Sequence, residues 1–138
     1  MMGGVCGHAG LFSNANDLAK MMQMYLNKGM YGGEQYFKSS TIDYFSSCPF
    51  CKTNRRGIGF DRPVMNSNNG PTCECVSDKS FGHQGFTGIL TWVDPESGLL
   101  YVFLSNRVYP NAENTKLSEL SVRTKIQEVI GKSLNTYK

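Results

Sequence analysis

The sequence predicts an α+β fold, an antiparallel sheet packed by helices, and three observations predict it. Leu18, Met21, Met22, Tyr25 and Leu26 recur at three and four residues, the spacing of a single apolar helix face. Residues 89–93 and the nearly continuous apolar run 99–104 flank Asp94-Pro95-Glu96-Ser97-Gly98, a turn sequence between two strands. Leu117, Leu120, Ile126, Val129, Ile130 and Leu134 mark a final amphipathic helix, with Gly131 close to its tail. The order is helix, helix, strand, loop, hairpin, helix, as expected when helices cover an antiparallel sheet.

The elements follow from local signals. Ser13 is a helix cap ahead of the first periodic residue, and Gly29 is a stop, so the first helix is placed at 15–28. Tyr31-Gly32-Gly33-Glu34 is a turn. A second helix starts near Ser40, where Ser40 and Asp43 form a weaker relative of the capping box; Ile42, Tyr44 and Phe45 give its apolar side and Pro49 closes it. Gly57-Ile58-Gly59-Phe60-Asp61 reads as a short strand whose glycines admit close neighbours. Residues 66–79 are polar and read as a loop. The apolar run at 99–104 suits a strand covered on both faces.

Bulk properties exclude several classes. A length of 138 residues suits a single domain over 1–138, long enough to bury about two thirds of its unfolded surface. With 40% hydrophobic and 18% charged residues the chain is globular rather than disordered. A net charge of +3, with no basic run, argues against nucleic acid as a partner. No apolar stretch approaches the roughly 20 residues that cross a bilayer, and the N-terminus lacks a signal-peptide pattern. Met1-Met2 is compatible with a start placed ahead of an internal segment.

Five cysteines are a high and odd number. Cys48-x-x-Cys51 and Cys73-x-Cys75 bracket a region, about 48–75, that reads as a cysteine-bearing insertion. Four thiolates could enclose a tetrahedral structural Zn²⁺, which would make the chain a zinc-stabilised binding or interaction module without catalysis. Disulfides are the competing reading, as local pairs or as links between the two ends of the loop; free thiols are the third. Cys6 stands apart in each.

Two segments carry a family resemblance. Gly7-His8-Ala9-Gly10-Leu11-Phe12-Ser13 followed by Asp17-Leu18-Ala19, and Phe81-Gly82-His83-Gln84-Gly85-Phe86-Thr87-Gly88 followed by Trp92-Val93-Asp94-Pro95-Glu96, resemble the G-G-L-x-S-T-A-x-D-L-A stretch and the third active-site motif of penicillin-recognising, class C-like serine hydrolases. Asn106-Arg107-Val108-Tyr109-Pro110 is similar to the segment after their hairpin. The resemblance implies a partial β-lactamase/transpeptidase-like fold, a bacterial source and an extracytoplasmic parent. In that family the third motif is Lys-Thr-Gly or His-Thr-Gly. Carried over, His83 polarises the site, Gly85 keeps the backbone accessible, and the Phe86 N–H donates to an oxyanion hole. Gln84 stands where a hydroxyl residue is usual and is a substrate-binding candidate through its amide. Asn106 and Arg107 are candidates to line the substrate side. His8 is assigned a structural role.

The same resemblance identifies what this chain does not contain. The family nucleophile lies in S-x-x-K, and the residue three before each lysine is Asp17, Tyr25, Gln35, Pro49, Val76, Glu113, Val122, Val129 or Asn135. None is serine. Tyr25-Leu26-Asn27 and Ser67-Asn68-Asn69 match the second motif in letters but fall after the Gly7–Gly10 segment, the wrong order. The chain is therefore expected to be the C-terminal part of an amide or ester hydrolase and inactive alone, since acyl transfer needs nucleophile, base and oxyanion hole together. Its chemistry requires no cofactor. Its expected partners are the missing N-terminal part of its own chain and, through a bared sheet edge, a second copy.

Overall fold

The computed structural model describes every residue except 1, 2, 5, 8, 9, 52, 53, 65–69, 137 and 138; the side chains of 135 and 136 also fall outside it. Its elements are α1 (Ala15–Leu26), β1 (Met30–Tyr31), β2 (Glu34–Gln35), α2 (Ser39–Ser46), β3 (Phe81–Gln84), β4 (Leu90–Asp94), β5 (Leu99–Phe103), α3 (Lys116–Glu119) and α4 (Val122–Thr136). The α+β layout and the antiparallel hairpin agree with the sequence.

Helix α1 is capped by Asn14 rather than Ser13. The Asn14 side chain accepts from the Asp17 N–H at 3.1 Å and donates to the Asp17 carboxylate at 2.8 Å, a reciprocal closure that the Ser13 hydroxyl, turned to the Asn14 carbonyl, does not make. The helix ends two residues before the predicted stop. Lys28 adopts φ 55°, its N–H reaches the Tyr25 carbonyl and the Gly29 N–H reaches the Met24 carbonyl, which is the Schellman arrangement with lysine in the left-handed position. Helix α2 has Lys38 at its N-cap position, where no side chain caps it, and Asp43 pairs with Lys28 instead of Ser40.

Strands β3, β4 and β5 form a three-stranded antiparallel sheet in that order, with Gly82 opposite Trp92, His83 opposite Thr91 and Gln84 opposite Leu90. Side chains alternate between its faces. On one face Met22, Phe81 and Val93 are buried together, with Tyr25, Leu26, Phe60 and Leu100 against them. On the other, Leu90, Trp92 and Tyr101 are buried with Cys73 and Val76, and Cys75, Phe103 and Ile130 close over them. The sheet therefore lies between α1 and a layer made of α4 and the 72–76 segment.

Three sequence expectations are corrected. Residues 57–61 form no strand: the Gly57 N–H turns back to the Phe60 carbonyl, and only isolated bridges join Arg56 to Asp61 and Asp61 to Gly82. Gly57 and Gly59 approach the Ser47 and Phe45 carbonyls so closely that a Cβ would overlap them, so the glycines serve packing against the end of α2. The final helix is two pieces, because Ser121 takes φ 50° between α3 and α4. Its inward face is the buried Gln127 and Gly131 with the half-buried Ile130, while Leu120, Ile126, Val129 and Leu134 are exposed.

At Gly82, β3 packs tightly against β4. A Cβ there would lie 2.1 Å from the Thr91 carbonyl oxygen and 2.8 Å from the Trp92 Cα. Backbone cannot yield as a side-chain tip can. Gly82→Ala is expected to destabilise by about 3 kcal/mol, the upper end of overpacking costs, read as a lowered urea midpoint; an unchanged midpoint would refute the close approach.

Asp94 closes the β4–β5 turn and is buried. Burial pushes its pKa up, but hydrogen bonds from the Ser77 hydroxyl, the Ser77 and Glu96 N–H groups and Ser97 outweigh it and hold the carboxyl below the usual range. A depressed folded-state value contributes stability that is complete above the unfolded value of about 3.9 and is lost as pH falls through the folded one. Thermal midpoints should therefore fall on acidification below about pH 4, and Asp94→Asn should flatten that fall.

Candidate active site

The third-motif residues lie where β3 turns into β4. The Gly85 N–H bonds to the Ile89 carbonyl at 2.9 Å and the Gly88 N–H to the Gly85 carbonyl at 2.9 Å, which sets Phe86 and Thr87 as the central residues of a tight turn. Phe86 is 73% exposed. Arg107 holds this turn from the far side of the hairpin. Its N–H bonds to the Thr87 carbonyl and its Nε to the Phe86 carbonyl at 2.8 Å, and the guanidinium covers the Phe86 ring at 4.7 Å. Its Nη1 reaches the Ala112 and Asn114 carbonyls. Much of the donor capacity of Arg107 is therefore engaged on backbone.

His83 is exposed, on the Phe81 face of β3. Its Nδ1 lies 2.7 Å from the Gln84 carbonyl and its Nε2 3.4 Å from Arg56 Nη1. The same Arg56 nitrogen donates to Asp61 Oδ1 at 2.6 Å, and Arg55 Nη1 donates to Asp61 Oδ2. Asp61 is 1% exposed, and its N–H and carbonyl both bond to Gly82, at 2.8 and 3.1 Å. A buried carboxylate pinned to β3 thus holds two guanidinium groups and brings that of Arg56 to the histidine.

Gln84 lies on the opposite face, its Nε2 3.3 Å from the Pro71 carbonyl. It borders a cleft of about 300 Å³ that Arg55, Arg123, Ser118, Ser121 and Thr124 also line. Arg123 Nη1 donates to the Gly88 carbonyl at 3.1 Å. Burial holds the Arg123 pKa below its ordinary value; Tyr101 opposes this and Arg107 adds to it. Two cationic side chains and three hydroxyls suit an anionic ligand group. Asn106 and Arg107 line a separate cleft of about 320 Å³ with Asn114 and Lys116, and Leu117 borders both.

The site residues read from the sequence are thus divided. His83, Gly85 and Phe86 lie along one strand-to-turn segment. Gln84 shares a cleft with Arg55 and Arg123, which the sequence reading missed. His8 and Ser67-Asn68-Asn69 lie outside the described residues. Tyr25 packs edge-on against Phe60 at 5.2 Å, a core contact.

The cysteines pair locally: Cys48 with Cys51, and Cys73 with Cys75. A disulfide sulfur is no thiolate, and among the described residues no three His, Cys, Asp or Glu side chains gather as a metal would need. The residues in this arrangement do not fit the zinc site. Among the described residues no helix is long and apolar enough to cross a membrane.

Comparison with known proteins adds independent findings. Proteins named "Putative D-alanyl-D-alanine carboxypeptidase" from Salmonella gallinarum (strain 287/91 / NCTC 13346) and Salmonella typhi are each 40% identical to this chain over 119 residues, 85% of it. The match covers 27% of each relative, so the chain spans about a quarter of their length. A crystal structure of a "putative beta-lactamase" from Bacteroides dorei DSM 17855 aligns over 86% of this chain and 42% of that one, at 16% identity and a TM-score of 0.49. A family model described as Beta-lactamase matches residues 1–123. By that match the chain belongs to the beta-lactamase family of serine hydrolases.

Proposed function

We propose that this chain is the C-terminal part of a longer bacterial serine hydrolase that cleaves an amide or ester through an acyl-enzyme. The observation that carries the reading is the segment His83 to Phe86, with an exposed imidazole beside a guanidinium and a tight turn starting at the Phe86 amide. Within the longer protein, His83 polarises the site. Gly85 leaves room for the substrate backbone. The Phe86 N–H meets the oxyanion, a donor fixed before charge develops. The nucleophile comes from an S-x-x-K motif supplied by chain beyond these 138 residues.

The cleft beside Gln84 supports an anionic substrate group, held by Arg123 and the hydroxyls of Ser118, Ser121 and Thr124. The name of the Salmonella relatives suggests a peptide ending in D-alanyl-D-alanine, whose terminal carboxylate fits that description. Asn106 and Arg107, at the neighbouring cleft, bound the substrate side; Arg107 acts there mainly by holding the turn. Two disulfides in so short a chain support folding in an oxidising compartment, the periplasm or beyond.

The reading is tested by expressing the chain joined to an upstream segment that carries S-x-x-K. That protein should hydrolyse a chromogenic ester, and the 138-residue chain alone should not. His83→Ala in the longer protein should lower kcat/KM at least ~10-fold, in line with polar active-site groups. Unchanged rates would remove His83 from the mechanism.

The outer edge of β5 is the second element of the proposal. Among the described residues no strand pairs with it, and such an edge offers a row of backbone donors and acceptors. In the longer protein we expect added strands there; in the chain alone, a second copy. Light scattering after size exclusion should show the isolated chain as a dimer or larger and the longer protein less associated. A chain monomeric at every concentration would remove this element.

A further inference from the structure

The geometry points to Arg56 as a positioning residue that fixes the tautomer of His83 and covers its second nitrogen, so that the cation at this rim is a guanidinium. The role in catalysis rests on the function proposed above; the hydrogen-bond arrangement does not.

The argument starts from what each partner can do. A backbone carbonyl only accepts, so the 2.7 Å contact between His83 Nδ1 and the Gln84 oxygen requires a proton on Nδ1. A guanidinium only donates, so the 3.4 Å contact from Arg56 Nη1 requires a lone pair on Nε2. Both contacts agree on one neutral ring with Nδ1–H. The nitrogen that would take a proton from a substrate or nucleophile is the one facing Arg56.

Arg56 is held in place by more than this contact. Nη1 carries two hydrogens, and the other goes to Asp61 Oδ1 at 2.6 Å. The Asp61 carboxylate is buried and its second oxygen is taken by Arg55. Its backbone is bonded twice to Gly82, the neighbour of His83. One carboxylate faces two guanidinium groups, so a positive charge remains beside the imidazole. The charged group that contacts His83 is Arg56, which is itself paired with Asp61, and its β4 neighbour is the uncharged Thr91.

A guanidinium keeps its charge at every pH a protein tolerates. In this arrangement Arg56 supplies the cation at the strand, and His83 acts as a neutral, oriented spacer between that cation and the Gln84 backbone. Its ring serves to present Arg56 at the rim rather than to shuttle a proton.

Carbethoxylation by diethyl pyrocarbonate tests this, because the reagent needs an available imidazole lone pair. The chain carries two histidines, so a His8→Gln background leaves His83 as the reporter at 240 nm. His83 should react about 10-fold more slowly than in Arg56→Leu, the scale of one charge-assisted hydrogen bond. Arg56→Lys, which keeps a donor and a charge, should restore most of the protection. Long-range ¹H–¹⁵N spectra of the neutral ring should show Nδ1–H.

Equal reaction rates in the parent and in a folded Arg56→Leu variant, or an Nε2–H tautomer in the parent, would overturn the inference. If Arg56→Leu fails to fold, the Arg56→Lys rate and the parent spectrum decide alone. In the longer protein Arg56→Leu should lower kcat/KM at least ~10-fold and Arg56→Lys only a few-fold. Protection without any hydrolase activity would refute the proposed function and leave the Arg56–His83 pair standing; activity without protection would do the reverse.

Discussion

The candidate site is organised around the Asp61 carboxylate. It is nearly inaccessible to solvent, and its two oxygens are paired with Arg55 and Arg56. A buried ion left without its partners costs several kcal/mol, so such a group keeps its neighbours close. Its backbone is at the same time bonded in both directions to Gly82. That double attachment passes the position of β3 to the 54–62 segment and brings two arginines to the histidine strand. Without it the segment would still be held by Phe60 in the core and by the end of α2, but the charge beside His83 would have no fixed place.

The sequence revealed the elements whose signals are repeated along the chain. The apolar period of α1 and the alternation and turn chemistry of the β4–β5 hairpin are each written several times over, so a local exception cannot hide them. Single-residue choices were less legible. Ser13 and Asn14 are equally good caps by type, and only the reach of the Asn14 amide to Asp17 separates them. The break at Ser121 carries neither Gly nor Pro, the residues that normally announce a left-handed turn. The final helix was read by its aliphatic residues, whereas the structure buries Gln127 and lays Gly131 against Cys75.

The site divides in the same way. The residues His83 to Phe86 are contiguous and sit in a recognisable motif, so they could be named from the sequence. Arg56 and Asp61 lie more than twenty positions earlier and reach the strand through isolated bridges, which leave no periodic trace. Arg123 was hidden differently. On a helical wheel it belongs to the polar side of an amphipathic helix, where a solvated charge is the ordinary reading. It faces the Gln84 cleft from the first turn of α4, directly after the left-handed Ser121.

The contacts of Arg107 have a consequence for how this rim meets a ligand. One side chain fastens the carbonyl of Phe86 to the loop carbonyls of residues 112 and 114 and stacks on the Phe86 ring. The conformational freedom of the tight turn is therefore surrendered when the chain folds, not when a guest arrives. A ligand that docks against this turn encounters a surface already in register, and its affinity is not reduced by the entropy of ordering a loop.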